Sequence, residues 1–347
     1  MRKKILGMLL AATMAVGCLT GVKPVKADDT YKFEKQYKLK AGDDYSKSPE
    51  ETFTFENAQL SAIEKTSYNT TAQKQDISEL SNANIPEDVK EVKIGSVSFD
   101  KGAAVKAGVE KEVTVTPPTA ATYQSSGYYY YKFKENKGDT AGVTYNENTF
   151  YIRVAVTYDS ANEKYEINSV AIMDKDMKKV AGIENGYSAG EIAIEKVVTG
   201  NMANNNETFD VTVTFKPADG TKLRSDITAS INDTALGDVT ITGDENEKKA
   251  TFKVKAGTKV SFKNLPEGVT YTVEEIKANG YDDPAYKING TAGNEGTIVG
   301  GKSDSVIITN NRQGTIDNGV FMSNLPYLLV LAFAGACGVV FVVRRKH

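Results

Sequence analysis

Histidine occurs once, as His347 at the last position, and cysteine twice, as Cys18 and Cys337, both inside apolar terminal stretches. The middle of the chain therefore holds no Ser-His-Asp or Cys-His pair, no Cys/His zinc site, no CxxC redox centre and no disulfide. Basic charge is also in deficit there: residues 28–319 carry 34 basic against 45 acidic side chains, a net of −11. An acidic exterior repels nucleic acid and anionic lipid, so nucleic acid is not an expected partner. Carboxylate-only metal sites and Lys/Glu chemistry survive these exclusions, and nothing in the sequence calls for a cofactor. The 347 residues, 40% hydrophobic and 25% charged, suit a globular chain of about two domains.

The two ends read as addresses. Residues 1–27 have a basic start (Arg2, Lys3, Lys4), an apolar run from Ile5 to Leu19 and a small-residue exit at Val25-Lys26-Ala27. That is the layout of a secretory signal peptide cut before Asp28; the apolar run is short for an uncleaved anchor. Residues 325–343 are uncharged throughout, enough at helical rise to cross roughly 28 Å of hydrocarbon. Arg344-Arg345-Lys346 follow at once, placing residues 344–347 in the cytoplasm as a basic tail. The expectation is an exported protein held at the cell surface by a C-terminal transmembrane helix.

Between these ends helical periodicity is scarce and alternating runs recur, as in Tyr129 to Lys134, Thr149 to Tyr158, Phe209 to Phe215 and Thr270 to Val273. Turn clusters such as Asn146-Glu147-Asn148, Asp159 to Asn162 and Asn279 to Pro284 punctuate them. The pattern predicts an all-β fold of two tandem immunoglobulin-like β-sandwich domains, over 28–187 and 191–312. Gly186 to Gly190 reads as the joint between them, and Ser61 to Glu91 as a long polar loop with a short helix.

Six polar residues lie on apolar strand faces, because residues two apart in a strand point the same way. Lys35 shares its face with Phe33, Tyr37 and Leu39; Glu135 follows Tyr131 and Phe133; Asn185 sits between Ile183 and Tyr187. In the second half Lys196 lies among Ile192, Ile194 and Val198, Glu275 follows Tyr271 and Val273, and Asn310 follows Val306 and Ile308. Each half thus carries a Lys, a Glu and an Asn in the same order. One such lysine alone would read as a solvated edge residue. Burial drives a lysine toward the neutral amine and a glutamate toward the neutral acid. A neutral amine is a nucleophile and a protonated carboxyl polarises an adjacent carboxamide, so the trio can form a Lys–Asn amide with loss of ammonia. The alternative is a satisfied buried network without chemistry.

Longer motifs carry a resemblance. Gly127-Tyr128-Tyr129-Tyr130-Tyr131-Lys132-Phe133-Lys134-Glu135, then Gly142-Val143-Thr144-Tyr145 and Phe150-Tyr151-Ile152-Arg153-Val154, are followed by Glu195-Lys196-Val197-Val198-Thr199-Gly200. Asn264-Leu265-Pro266-Glu267-Gly268 to Glu275 and Thr309-Asn310 complete the set. The chain resembles the Gram-positive major (backbone) pilins of the streptococcal pilin isopeptide-linkage family, with a second domain similar to CnaB-type modules. The resemblance implies intramolecular isopeptide bonds Lys35–Asn185 and Lys196–Asn310, with Glu135 and Glu275 as catalytic carboxyls. It also implies a pilus shaft subunit whose partners are other copies of the chain, joined head to tail, and a sortase-type transpeptidase. Minor pilins and a host-surface ligand are further candidate partners. Lys178 and Lys179 stand where the family has its intermolecular lysine. Residues 313–324 correspond to the sorting signal: Gly319 is in place, with Asn318 where threonine is expected and no preceding proline, and cleavage is expected between Asn318 and Gly319. A non-polymerised surface adhesin or stalk is the alternative function, and no enzyme activity beyond single-turnover self-crosslinking is expected.

Overall fold

The computed structural model describes residues 30–42, 46–64 and 86–314. Among them the chain is all-β, with only three single-turn 3-10 segments, Glu87–Val89, Ala120–Thr122 and Thr234–Leu236. The anticipated signal peptide (1–27), sorting region from 315 onward, membrane span (325–343) and basic tail (344–347) lie outside the described residues. Among the described residues no helix is long and apolar enough to cross a membrane.

Three strands form the spine. The opening strand Tyr31–Ala41 pairs in parallel with the shared strand Gly182–Thr199, and the shared strand pairs in parallel with the closing strand Ser303–Asn311. The alternation that the sequence advertises sets their faces: in the opening strand Phe33, Lys35, Tyr37 and Leu39 are buried, with less buried residues between them. Val109–Thr116 pairs antiparallel on the other side of the opening strand. Through Glu91–Ile94 the ladder continues into Ala58–Glu64, Gly127–Lys134, Thr149–Asp159 and Lys164–Met173, which close over the first core. Aromatic rings dominate that core, with Phe33, Tyr37, Phe53, Phe55, Phe99 and Phe133 in mutual edge contacts.

The second core lies between two sheets. One contains the shared and closing strands with Lys259–Pro266; the other is the five-stranded sheet centred on Phe209–Lys216, Lys248–Val254 and Thr270–Glu275. Phe209, Phe215, Phe252, Phe262 and Tyr271 fill it. The alternating runs read from the sequence are all strands here.

Two expectations are corrected. Gly186 to Gly190 is not a linker: the backbone runs through it as one 18-residue strand, and every residue from Asn185 to Gly190 is buried. Small side chains are needed because neighbours crowd both faces. A Cβ at Gly190 would lie 2.5 Å from the Val299 carbonyl oxygen, and one at Gly186 would run into the Lys40 side chain. The glycines that suggested a joint thus serve close packing. Likewise Ser61–Glu64 extends the strand Ala58–Glu64 instead of opening a loop, because it pairs with the Tyr-rich strand Gly127–Lys134.

The cores are tied to each other by more than the shared strand. Asn264, in the left-handed region at φ 58°, accepts from the Lys47 backbone N–H at 2.9 Å. Its amide group donates to the Lys47 carbonyl at 3.0 Å and to the Asp226 carbonyl at 2.9 Å. Tyr187 from the first core shares a 2.8 Å hydrogen bond with Ser225. Arg224 donates to Thr140 at 2.7 Å and pairs with Asp139.

Candidate functional site: two buried Lys-Glu-Asn triads

The structure brings the six misplaced polar residues together as two triads, each buried in its own core. All six are at most 8% exposed. In the first, Lys35 Nζ donates to Glu135 Oε2 at 2.5 Å, and Asn185 Nδ2 donates to Glu135 Oε1. In the second, Lys196 Nζ donates to Glu275 Oε2 at 2.6 Å and Asn310 Nδ2 to Glu275 Oε1 at 2.5 Å. Each carboxyl therefore spans the amine with one oxygen and the carboxamide nitrogen with the other.

Both triads have one construction. Lys and Asn come from neighbouring parallel strands, and the asparagine faces the residue two positions beyond the lysine. Asn185 is opposite Tyr37, and Asn310 is opposite Val198. Lysine and asparagine are thus diagonal neighbours on one face, within reach of a four-carbon side chain. The glutamate arrives at the end of a strand in the opposing layer: Glu135 just past Gly127–Lys134 and bridged to Phe55, Glu275 as the last residue of Thr270–Glu275.

Aromatic rings complete each pocket. Lys35 Nζ lies 4.5 Å from the Phe53 ring centroid and Lys196 Nζ 4.2 Å from that of Phe209. These phenylalanines are absent from the residues picked out by strand parity, yet the sequence marks them: each ends a Glu-Thr-Phe triplet, Glu51-Thr52-Phe53 and Glu207-Thr208-Phe209. Burial brings the Lys35 ammonium down to about 8 against the opposing pull of Glu135, and lifts the Glu135 carboxyl above its ordinary range. Burial lowers Lys196 as well. Both lysines are therefore biased toward the free amine.

The remaining sequence candidates lie apart from the triads. Lys178 and Lys179 are exposed in the turn after Lys164–Met173. Asp174 accepts the Lys178 backbone N–H at 2.9 Å there, and Lys179 bridges back to Met173. Asn318 and Gly319 fall outside the described residues.

Residues 190–312 match a family model described as a domain of unknown function, DUF7601. A curated protein called Pilin, from Streptococcus pyogenes serotype M1, is 22% identical over 268 residues, covering 74% of this chain and 76% of its own. The pilus tip adhesin Cpa of Streptococcus pyogenes is 27% identical over 128 residues, 36% of this chain and 17% of that protein. Among solved structures, the major pilin from Streptococcus pyogenes superposes with a TM-score of 0.50 at 18% identity, over 82% of this chain and 98% of that one. This chain is thus similar in sequence to a Gram-positive pilin and shares the fold of a Gram-positive major pilin.

Proposed function

We propose that this protein is a structural subunit of a surface pilus, a shaft pilin of two tandem sandwich domains, each stapled by an intramolecular Lys–Asn isopeptide bond. The observation that carries the reading is the repeated triad: the same three residue types, in the same diagonal register, with the same carboxyl bridge, in both cores. In each core a buried amine, carboxyl and carboxamide meet at hydrogen-bond distance, which is the set of groups that an amide crosslink uses. The pocket supplies what the reaction requires. Burial biases each lysine toward the free amine that attacks, and the carboxyl beside it is placed to pass a proton to the departing nitrogen. Glu135 and Glu275 each take the proton leaving the amine and return one to the amide, so they emerge unchanged.

The bonds would lie in the path of tension. Pulling the two ends of the chain shears the opening strand against the shared strand and the shared strand against the closing strand, since both pairs are parallel. With the bonds in place, load entering at Tyr31 crosses at Lys35–Asn185, runs along the shared strand to Lys196 and crosses again to Asn310. Residues 36–184 and 197–309 are bypassed. A chain without cysteine in this region has no disulfide route to the same end.

Export, attachment to the cell envelope and supply of Asn318 to a sortase-type transpeptidase complete this reading, with Lys178 or Lys179 of the next copy as acceptor. The assembly is then head-to-tail and open-ended, supporting adhesion. Immunoblotting of cell-wall extracts boiled in detergent tests it. A ladder of covalent multimers is expected; a single band refutes polymerisation and leaves a surface stalk.

A further inference from the structure

The two triads differ at one atom. Asn185 Oδ1 accepts a hydrogen bond from the Asn146 backbone N–H at 3.0 Å. Asn310 Oδ1 is buried, and no donor reaches it among the described residues. The Asn146 amide is held in place by its own side chain. Asn146 Oδ1 accepts from the Asn148 N–H at 3.0 Å, tightening the turn ahead of Thr149–Asp159. Asn146 Nδ2 donates to the carbonyl of Glu184 at 3.3 Å, tying that turn to the residue preceding Asn185.

That oxygen is where charge develops. Attack by the neutral Lys35 Nζ makes the N–C bond to Asn185 Cγ and moves the carbonyl π pair onto Oδ1. Collapse returns the pair, breaks the Cγ–Nδ2 bond and releases ammonia. The Nζ proton passes to Glu135, and the proton of Glu135 passes to Nδ2. From this geometry we infer that the Asn146 backbone N–H is an oxyanion donor for the first bond, that the second bond forms without an equivalent, and that the protein therefore matures in order, Lys35–Asn185 before Lys196–Asn310. The inference rests on the isopeptide reading above. A positioned donor within 2.7–3.1 Å of a developing oxyanion is worth roughly 100-fold in rate or more.

The test uses the full chain, recovered unlinked in denaturant and refolded by dilution, with the two crosslinked peptides followed by mass spectrometry over time. The Lys35–Asn185 peptide is expected to appear roughly 100-fold faster. To separate the donor's effect from the folding rate of each core, the decisive variant carries an α-hydroxy acid at position 146, replacing that N–H by an ester oxygen with the side chain kept. It should slow the first bond by a similar factor and leave the second unchanged. Asn146→Ala, which keeps the N–H, should slow the first bond far less than the ester does. Equal rates at the two sites, or an ester variant as fast as the parent, overturn the donor role. If neither linked peptide ever forms, the isopeptide reading itself falls.

Discussion

Replacing Glu275 by glutamine keeps the shape of the second pocket and an acceptor for Lys196 Nζ, now 2.6 Å from Oε2, but removes the group that moves protons. The bond between Lys196 and Asn310 should not form, although the two side chains still meet. Without it the unfolded chain regains the freedom of a loop of about 115 residues, worth roughly 5 kcal/mol on a chain-entropy argument. For a unit of that size the loss corresponds to a fall in melting temperature of roughly 15–25 °C. Glu275→Ala should cost more, by about 1–3 kcal/mol, because Lys196 Nζ and Asn310 Nδ2 lose their shared partner inside an apolar pocket. Intact-mass measurement and calorimetry on one preparation decide the matter. The parent should be lighter than its sequence by two ammonia losses, each variant by one, and only one thermal transition should move. A Glu275→Gln protein that still shows both deficits refutes the role given to the glutamate. A parent of unshifted mass refutes the chemistry and leaves a plain buried network.

The rate of the first crosslink should be bell-shaped in pH. The reactive pair shares one proton between a neutral Lys35 and a protonated Glu135; Lys35 at about 8 and Glu135 above the usual carboxylate range set the two edges. The rate should therefore fall above pH of about 8, as the shared proton is lost, and again in acid, as a second proton binds. A rate that keeps climbing through the alkaline limb would mean the acid form of Glu135 is not needed. Replacing Lys178 and Lys179 together by arginine should collapse the detergent-resistant ladder to one band while both mass deficits persist, and an unchanged ladder would move the acceptor elsewhere. Protein released from the cell surface should end at Asn318, read by C-terminal peptide mapping; peptides from Val320 to His347 still joined to it would mean a membrane-tethered stalk. Asn264→Ala removes two hydrogen bonds between the two units, both to Lys47, and a third to Asp226 within the second unit, and should cost about 2–4 kcal/mol. The contact around Lys47 should then become open to limited proteolysis, and resistance equal to the parent's would show that other contacts suffice.

Strand parity alone exposed the six triad residues, because a strand's side chains alternate with a period of two and a polar residue on the buried parity stands out wherever the register lies. Absence did the rest: a chain with no histidine or cysteine between its ends has few ways to do chemistry except through lysine, carboxyl and amide. Parity does not reveal which strands become neighbours. The parallel pairing of the opening, shared and closing strands, and the diagonal offset that sets Asn185 opposite Tyr37 and Asn310 opposite Val198, join residues more than a hundred positions apart. Such register is set by how the two layers close over a core, not by local pattern. The same holds for Gly186 to Gly190, whose composition is that of a turn. Pairing with the opening strand and with Lys259–Pro266 makes those residues part of a continuous strand, and the crowding of Lys40, Val299 and Lys302 around them is what calls for glycine. Asn146 shows the limit most sharply. Its sequence neighbourhood announces a turn and nothing more, and the backbone amide that meets Asn185 exists as a donor only because the folded chain carries that turn to the shared strand.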